Sequence, residues 1–61
     1  VLVVVQINGR VRDRVVVASG ITEDELLRTV MERERIKTYL HGKNVKKTIY
    51  IPQKILNIVT D

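Results

Sequence analysis

Three arginines alternate along one short stretch, Arg10, Arg12 and Arg14, and three lysines crowd a second, Lys43, Lys46 and Lys47. Guanidinium and ammonium groups at this density suit anions, phosphate oxygens above all: arginine as a fork of donors, lysine as a point charge. Asn8 and Asn44 stand beside these cations and add amide donors. Other chemistry is thinly supplied. There is one histidine, His41, one serine, Ser19, and no cysteine. That leaves no Ser–His or Cys–His pair of any strength and no thiolate metal site. Glu23, Asp24 and Glu25 resemble a metal or acid/base cluster, but they open a helix, where capping and solvation account for them. No residue is assigned as catalytic and none as a metal ligand. For the isolated chain the reading is of a domain that is not an enzyme and takes no cofactor.

The arginines must be positioned by the turn that precedes them. Val3-Val4-Val5-Gln6-Ile7 and Val11-Arg12-Asp13-Arg14-Val15-Val16-Val17 flank Asn8-Gly9. Asn-Gly between β-branched runs is a strong hairpin signal, because both residues tolerate positive φ. A two-residue loop would set Ile7 against Arg10 and Val5 against Arg12, mixing valine and arginine on each face. A three-residue loop of Ile7, Asn8 and Gly9, with Gly9 in a G1 bulge, separates them: Gln6 opposes Arg10, Val4 opposes Arg12 and Leu2 opposes Arg14. Val5 then opposes Val11, and Val3 opposes Asp13. Parity therefore predicts the longer loop and all three arginines on one face. Those charges serve either solubility or a partner.

Ala18-Ser19-Gly20 ends the second strand, and Thr22 with Glu25 reads as a capping box. Leu26, Leu27, Val30 and Met31 form one apolar stripe, and Ile36, Tyr39 and Leu40 another, out of phase across Glu32-Arg33-Glu34-Arg35. A kink, or two short helices broken near 32–35, follows. Gly42 is placed for a left-handed C-cap, with His41 beside the negative helix end. Tyr39, on the helical apolar stripe, is expected in the core; further on, Val45, Ile49 and Ile51 alternate with Lys46, Thr48 and Tyr50, which sets Lys46 beside Tyr50 on a polar face. Pro52-Gln53-Lys54 connects to a last strand, Ile55 to Val59. The expectation is an α+β fold: a small two-layer sandwich ordered ββ-α(α)-ββ, with a mainly antiparallel sheet and a kinked or split helix on one face.

Sixty-one residues make one small domain, 1–61, with a thin core and no room for a deep catalytic cleft. The absence of an initiator methionine and a strand beginning almost at residue 1 read as a piece of a longer polypeptide. The absence of cysteine fits a reducing compartment, and no run spans a membrane. The net charge of +4 is unevenly spread: +2 over residues 1–20, −1 over 21–41 and +3 over 42–61. Basic strands beside a near-neutral helical layer match a phosphate-backbone partner, with an acidic protein surface as the alternative. Single-strand readers stack bases on aromatics, whereas Tyr39 and Tyr50 are the only aromatic residues. Cations without a stacking platform suit the backbone and shape of a folded RNA.

Val5-Gln6-Ile7-Asn8-Gly9-Arg10-Val11-Arg12-Asp13-Arg14, followed by Gly42-Lys43-Asn44-Val45-Lys46-Lys47-Thr48-Ile49-Tyr50-Ile51-Pro52-Gln53-Lys54-Ile55-Leu56-Asn57-Ile58-Val59, closely resembles the C-terminal domain of bacterial-type leucyl-tRNA synthetases. The likeness covers essentially the whole chain. Ala18 departs from it, standing where the family usually has proline, as do the bulky Val30 and Met31 on the helix face. The resemblance implies a tethered appendage of a cytoplasmic class I ligase that joins leucine to tRNA(Leu) with ATP and magnesium bound in other domains. It also implies contact with the tRNA elbow, where the D and TψC loops meet. The expected RNA contacts are Asn8, Arg10, Arg12, Arg14, Lys43, Asn44, Lys46 and Lys47, in a monomer with no membrane partner. The competing expectations are a protein-interaction module docking through the basic face and, more remotely, a stand-alone enzyme.

Overall fold

The computed structural model describes residues 1–61. The elements run β1 (Leu2–Ile7), β2 (Arg10–Val16), α1 (Glu23–Met31), α2 (Glu34–Leu40), β3 (Val45–Ile51) and β4 (Ile55–Thr60). Four strands form one mixed sheet in the order β2-β1-β4-β3: two antiparallel hairpins joined at the centre by a parallel β1–β4 pair. The chain is thus a small α+β domain with two helices packed on one sheet face. The strand order follows from burial. Leu56 and Ile58 of β4 and Val3, Val5 and Ile7 of β1 all project into the core, so the two richest strands take the interior positions.

The helices break where the out-of-phase stripes require. The backbone N–H of Glu32 donates to Thr29 O and that of Arg33 to Val30 O, both tightened end-turn bonds, and α2 restarts at Glu34. The break lets Leu26 and Val30 from α1 and Ile36 from α2 become fully buried together. Thr22 caps α1, its Oγ1 accepting from the Glu25 N–H at 3.2 Å. Gly42, at φ 75°, lets the Lys43 N–H return to Leu40 O at 3.0 Å. Val30 fits at no exposure and Met31 packs against the core edge, so the helix face accommodates both bulky residues.

The β1–β2 turn departs from the expected three-residue loop. Ile7 pairs with Arg10, and Asn8 and Gly9 lie at φ 53° and 83°, as a two-residue type I′ turn requires. The one-residue offset demanded by parity is present but sits inside β2: Gln6 pairs with Val11 and Val5 with Asp13, leaving Arg12 as a bulge. Beyond it the apolar partners fall into step, Val3 with Val15. The arginines consequently do not share a face. Arg12 turns toward the helices, whereas Arg14 pairs with Val4 on the open side of the sheet.

A second correction concerns β3. Thr48 and Tyr50 are its half-buried, helix-facing residues, while Ile49 and Ile51 lie on the open face, each nearly half exposed. Another bulge, between Val45 and Lys47, leaves Lys46 unpaired, so Lys46 and Tyr50 do not form a continuous polar stripe. On the edge strand β3 the Thr48 hydroxyl donates to Glu23 at 3.0 Å and Tyr50 packs against the core. No helix is long and apolar enough to cross a membrane.

Candidate nucleic-acid interface

One end of the sheet gathers three of the basic groups, Arg10, Arg12 and Lys43. There the β1–β2 turn, the end of β4, the start of β3 and the end of α2 converge. The turn is pinned to β4 on three sides. Asn8 N–H donates to Ile58 O at 2.9 Å. The Asn8 carboxamide donates to Thr60 Oγ1 and accepts from Thr60 N–H, both at 2.9 Å. Gly9 N–H donates to Asn57 Oδ1 at 3.0 Å. Asn8, expected as a donor to a ligand, therefore spends both ends of its amide holding the turn that carries Arg10.

Beside this turn lies a cleft of about 340 Å³ lined by Ile7, Asn8, Arg10, Arg12, Tyr39 and Lys43. Three of its six residues are cationic, and none is acidic. The Arg12 guanidinium carbon lies 4.5 Å from the centroid of the Tyr39 ring, a cation–π stack joining the β2 bulge to α2. Tyr39, expected in the core, is 38% exposed and forms the floor under Arg12. Tyr50, expected beside Lys46 on a polar face, packs instead against the core, so the two tyrosines exchange their anticipated places.

Sequence reasoning also missed the state of Asp13. It is almost fully buried, and Arg33 Nε reaches its Oδ2 at 2.5 Å while Arg14 N–H donates to its Oδ1 at 2.8 Å. The bond from Arg33 holds the Asp13 carboxyl below its ordinary value of 3.8, against the opposing pull of burial. Its charge is thereby satisfied locally. The only other ion pair is Glu34–Lys37, so Arg10, Arg12, Arg14, Lys43, Lys46 and Lys47 are free of carboxylate partners.

The remaining anticipated residues lie outside the cleft. Asn44 is tied to the last residue, its backbone N–H and side-chain Nδ2 donating to the Asp61 carboxylate at 3.2 and 3.3 Å. Lys46 is the bulged residue of β3, Lys47 pairs with Val59 on the open face, and Arg14 is on that face at the far edge strand. Of eight anticipated residues, Asn8, Arg10, Arg12 and Lys43 come together, and Tyr39 joins them unannounced. No cluster of three or more His, Cys, Asp or Glu side chains occurs.

No protein-family model matches the chain. Among curated proteins, a leucine–tRNA ligase of Thermotoga maritima is 53% identical over 57 residues, covering 93% of this chain and 7% of the relative. One of Geotalea uraniireducens is 45% identical over 58 residues, covering 95% of this chain and again 7% of the relative. The chain thus spans a small fraction of the length of these relatives. Among solved structures, a LeuRS of Agrobacterium radiobacter in a ternary complex with tRNA and LeuAMS superposes with a TM-score of 0.95 at 26% identity, covering all of this chain and 8% of that one.

Proposed function

We propose that the chain, which belongs to the leucine–tRNA ligase family, is the C-terminal domain of such a ligase and a non-catalytic tRNA-binding appendage. In this reading it contacts the elbow of tRNA(Leu), where the D and TψC loops meet, and supports leucine attachment carried out elsewhere in a cytoplasmic, monomeric ligase using ATP and magnesium. A flexible tether joins it to the rest of that ligase. The observation that carries the proposal is the cleft at the sheet end, where Arg10, Arg12 and Lys43 converge with no carboxylate to neutralise them. Such a group is matched to closely spaced phosphates of a folded RNA. Tyr39, though 38% exposed, already carries Arg12 over its ring, and Tyr50 packs on the core. This favours backbone and shape over sequence. A small contact also gains from tethering, which makes docking an intramolecular event at high effective concentration.

The test is the ligase carrying this segment with Arg10, Arg12 and Lys43 all changed to alanine. Binding of tRNA(Leu) is expected to weaken at least about tenfold, with the salt dependence reduced, because each phosphate contact contributes roughly 0.9 to the logarithmic slope. Leucine adenylation, which needs no tRNA, is expected to be unchanged. Unaltered tRNA affinity and slope would sink the proposal. If the same variant instead loosened the domain from the rest of the ligase, the protein-docking reading of the basic face would replace it.

A further inference from the structure

Arg12 differs from the other cations of the cleft in being held from beneath. We infer that Tyr39 is a positioning residue, whose ring presets the Arg12 guanidinium to receive a phosphate of the bound RNA backbone; this rests on the tRNA-binding reading above. The β2 bulge is what permits the arrangement. As the extra residue of the ladder, Arg12 escapes the alternation that sends Arg14 to the open face, and its side chain turns to the helical layer instead. There its guanidinium carbon lies 4.5 Å from the centroid of the Tyr39 ring, and no carboxylate pairs with its N–H donors, which are left for a ligand.

Two further features protect those donors. Asp13, the neighbouring carboxylate, also turns to the helices, but Arg33 and the Arg14 N–H occupy it, so it does not neutralise Arg12. Arg10 and Lys43 stand on the same cleft, one on the turn pinned by Asn8 and Thr60, the other just after the left-handed Gly42. An arginine held against a ring loses less freedom on binding than one extended into solvent. Tyr39 thus aids affinity while touching the arginine and not the RNA.

The experiment is a double-mutant cycle on tRNA(Leu) affinity in the ligase carrying this segment, using Arg12→Ala, Tyr39→Leu, their combination, Tyr39→Phe and Arg12→Lys. Tyr39→Leu is expected to weaken binding about 2- to 5-fold, the range of an exposed cation–π contact, and Tyr39→Phe to retain it. The Tyr39→Leu effect is expected to vanish in the Arg12→Ala background, which a merely structural tyrosine would not do. Arg12→Lys keeps the charge but not the planar stack and leaves α2 untouched; it is expected to weaken binding to a similar degree. A Tyr39→Leu effect that persists undiminished without Arg12, or full affinity with Arg12→Lys, would overturn the inference. If Arg12→Ala and the triple alanine variant both bind normally, the tRNA-binding reading itself fails, a distinct outcome.

Discussion

Asp13 sits between two arginines that face opposite sides of the sheet, and what it does is decided by a third. Arg33 supplies two bonds to it, at 2.5 and 3.4 Å, from the junction between the helices, so the pair clamps the edge strand β2 to the start of α2. Because the carboxyl is held below its ordinary 3.8, its ionised form is bound more tightly in the folded chain than in the unfolded one. The stabilisation is fully present above that value and is lost as the pH falls through the folded value beneath it. Arg33 is about half exposed, which keeps the pair's contribution modest. Asp13→Asn is expected to lower unfolding stability by about 1 kcal/mol at neutral pH. That deficit should shrink to nothing in acid titrations of the unfolding midpoint below pH 3.8. A difference that stays constant through acid would mean the charge of Asp13 is immaterial.

At the level of elements, the β1–β2 turn and the helix break show two ways of accommodating a local conflict. The helix break is resolved where the conflict arises, at Glu32-Arg33, since the two stripes cannot share one cylinder face. The hairpin conflict is resolved at a distance. Asn8-Gly9 keeps the turn its backbone prefers, and the offset is displaced to Arg12, because an unpaired residue at an edge strand is easier to accommodate than an unfavourable loop. The turn's dependence on Thr60 has a measurable consequence. Asn8→Ala removes both side-chain bonds and places a Cβ-bearing, non-asparagine residue at φ 53°, so chemical denaturation should show a loss of about 1–3 kcal/mol. Asn44→Ala removes only the solvent-exposed side-chain bond to Asp61 and should lose less than half as much. Equal losses would contradict the assignment of Asn8 as the pin.

For the whole molecule, the helices cover one sheet face, the other stays open, and the cleft cations collect at one end of the sheet. Arg10, Arg12 and Lys43 flank the cleft, while Arg14 and Lys47 occupy the open face on opposite edge strands. In the ligase carrying this segment, alanine at Arg10 or Lys43 should reduce the logarithmic salt slope of tRNA binding by up to about 1 each, and alanine at Arg14 or Lys47 by clearly less. Equal reductions from both groups would move the RNA onto the open face.

Much of this was legible from the residues alone. The hairpin at Asn8-Gly9, the Thr22 cap, the break near 32–35 and the closing Gly42 rest on φ preferences, capping and helical phase, which act over a few neighbouring residues wherever the chain is placed. The two blocks that mark the family are likewise properties of the string. Only the tertiary structure decided which face each arginine takes, which tyrosine is covered, and that β1 and β4 run parallel. Those depend on strand register, which is settled by burying Val3, Val5, Val15, Leu56 and Ile58 together. A single bulged residue reverses the faces of everything beyond it without any signature of its own. The alternation of arginines was therefore visible in the chain, but the selection of Arg12 over Arg14 for the cleft was made by the core.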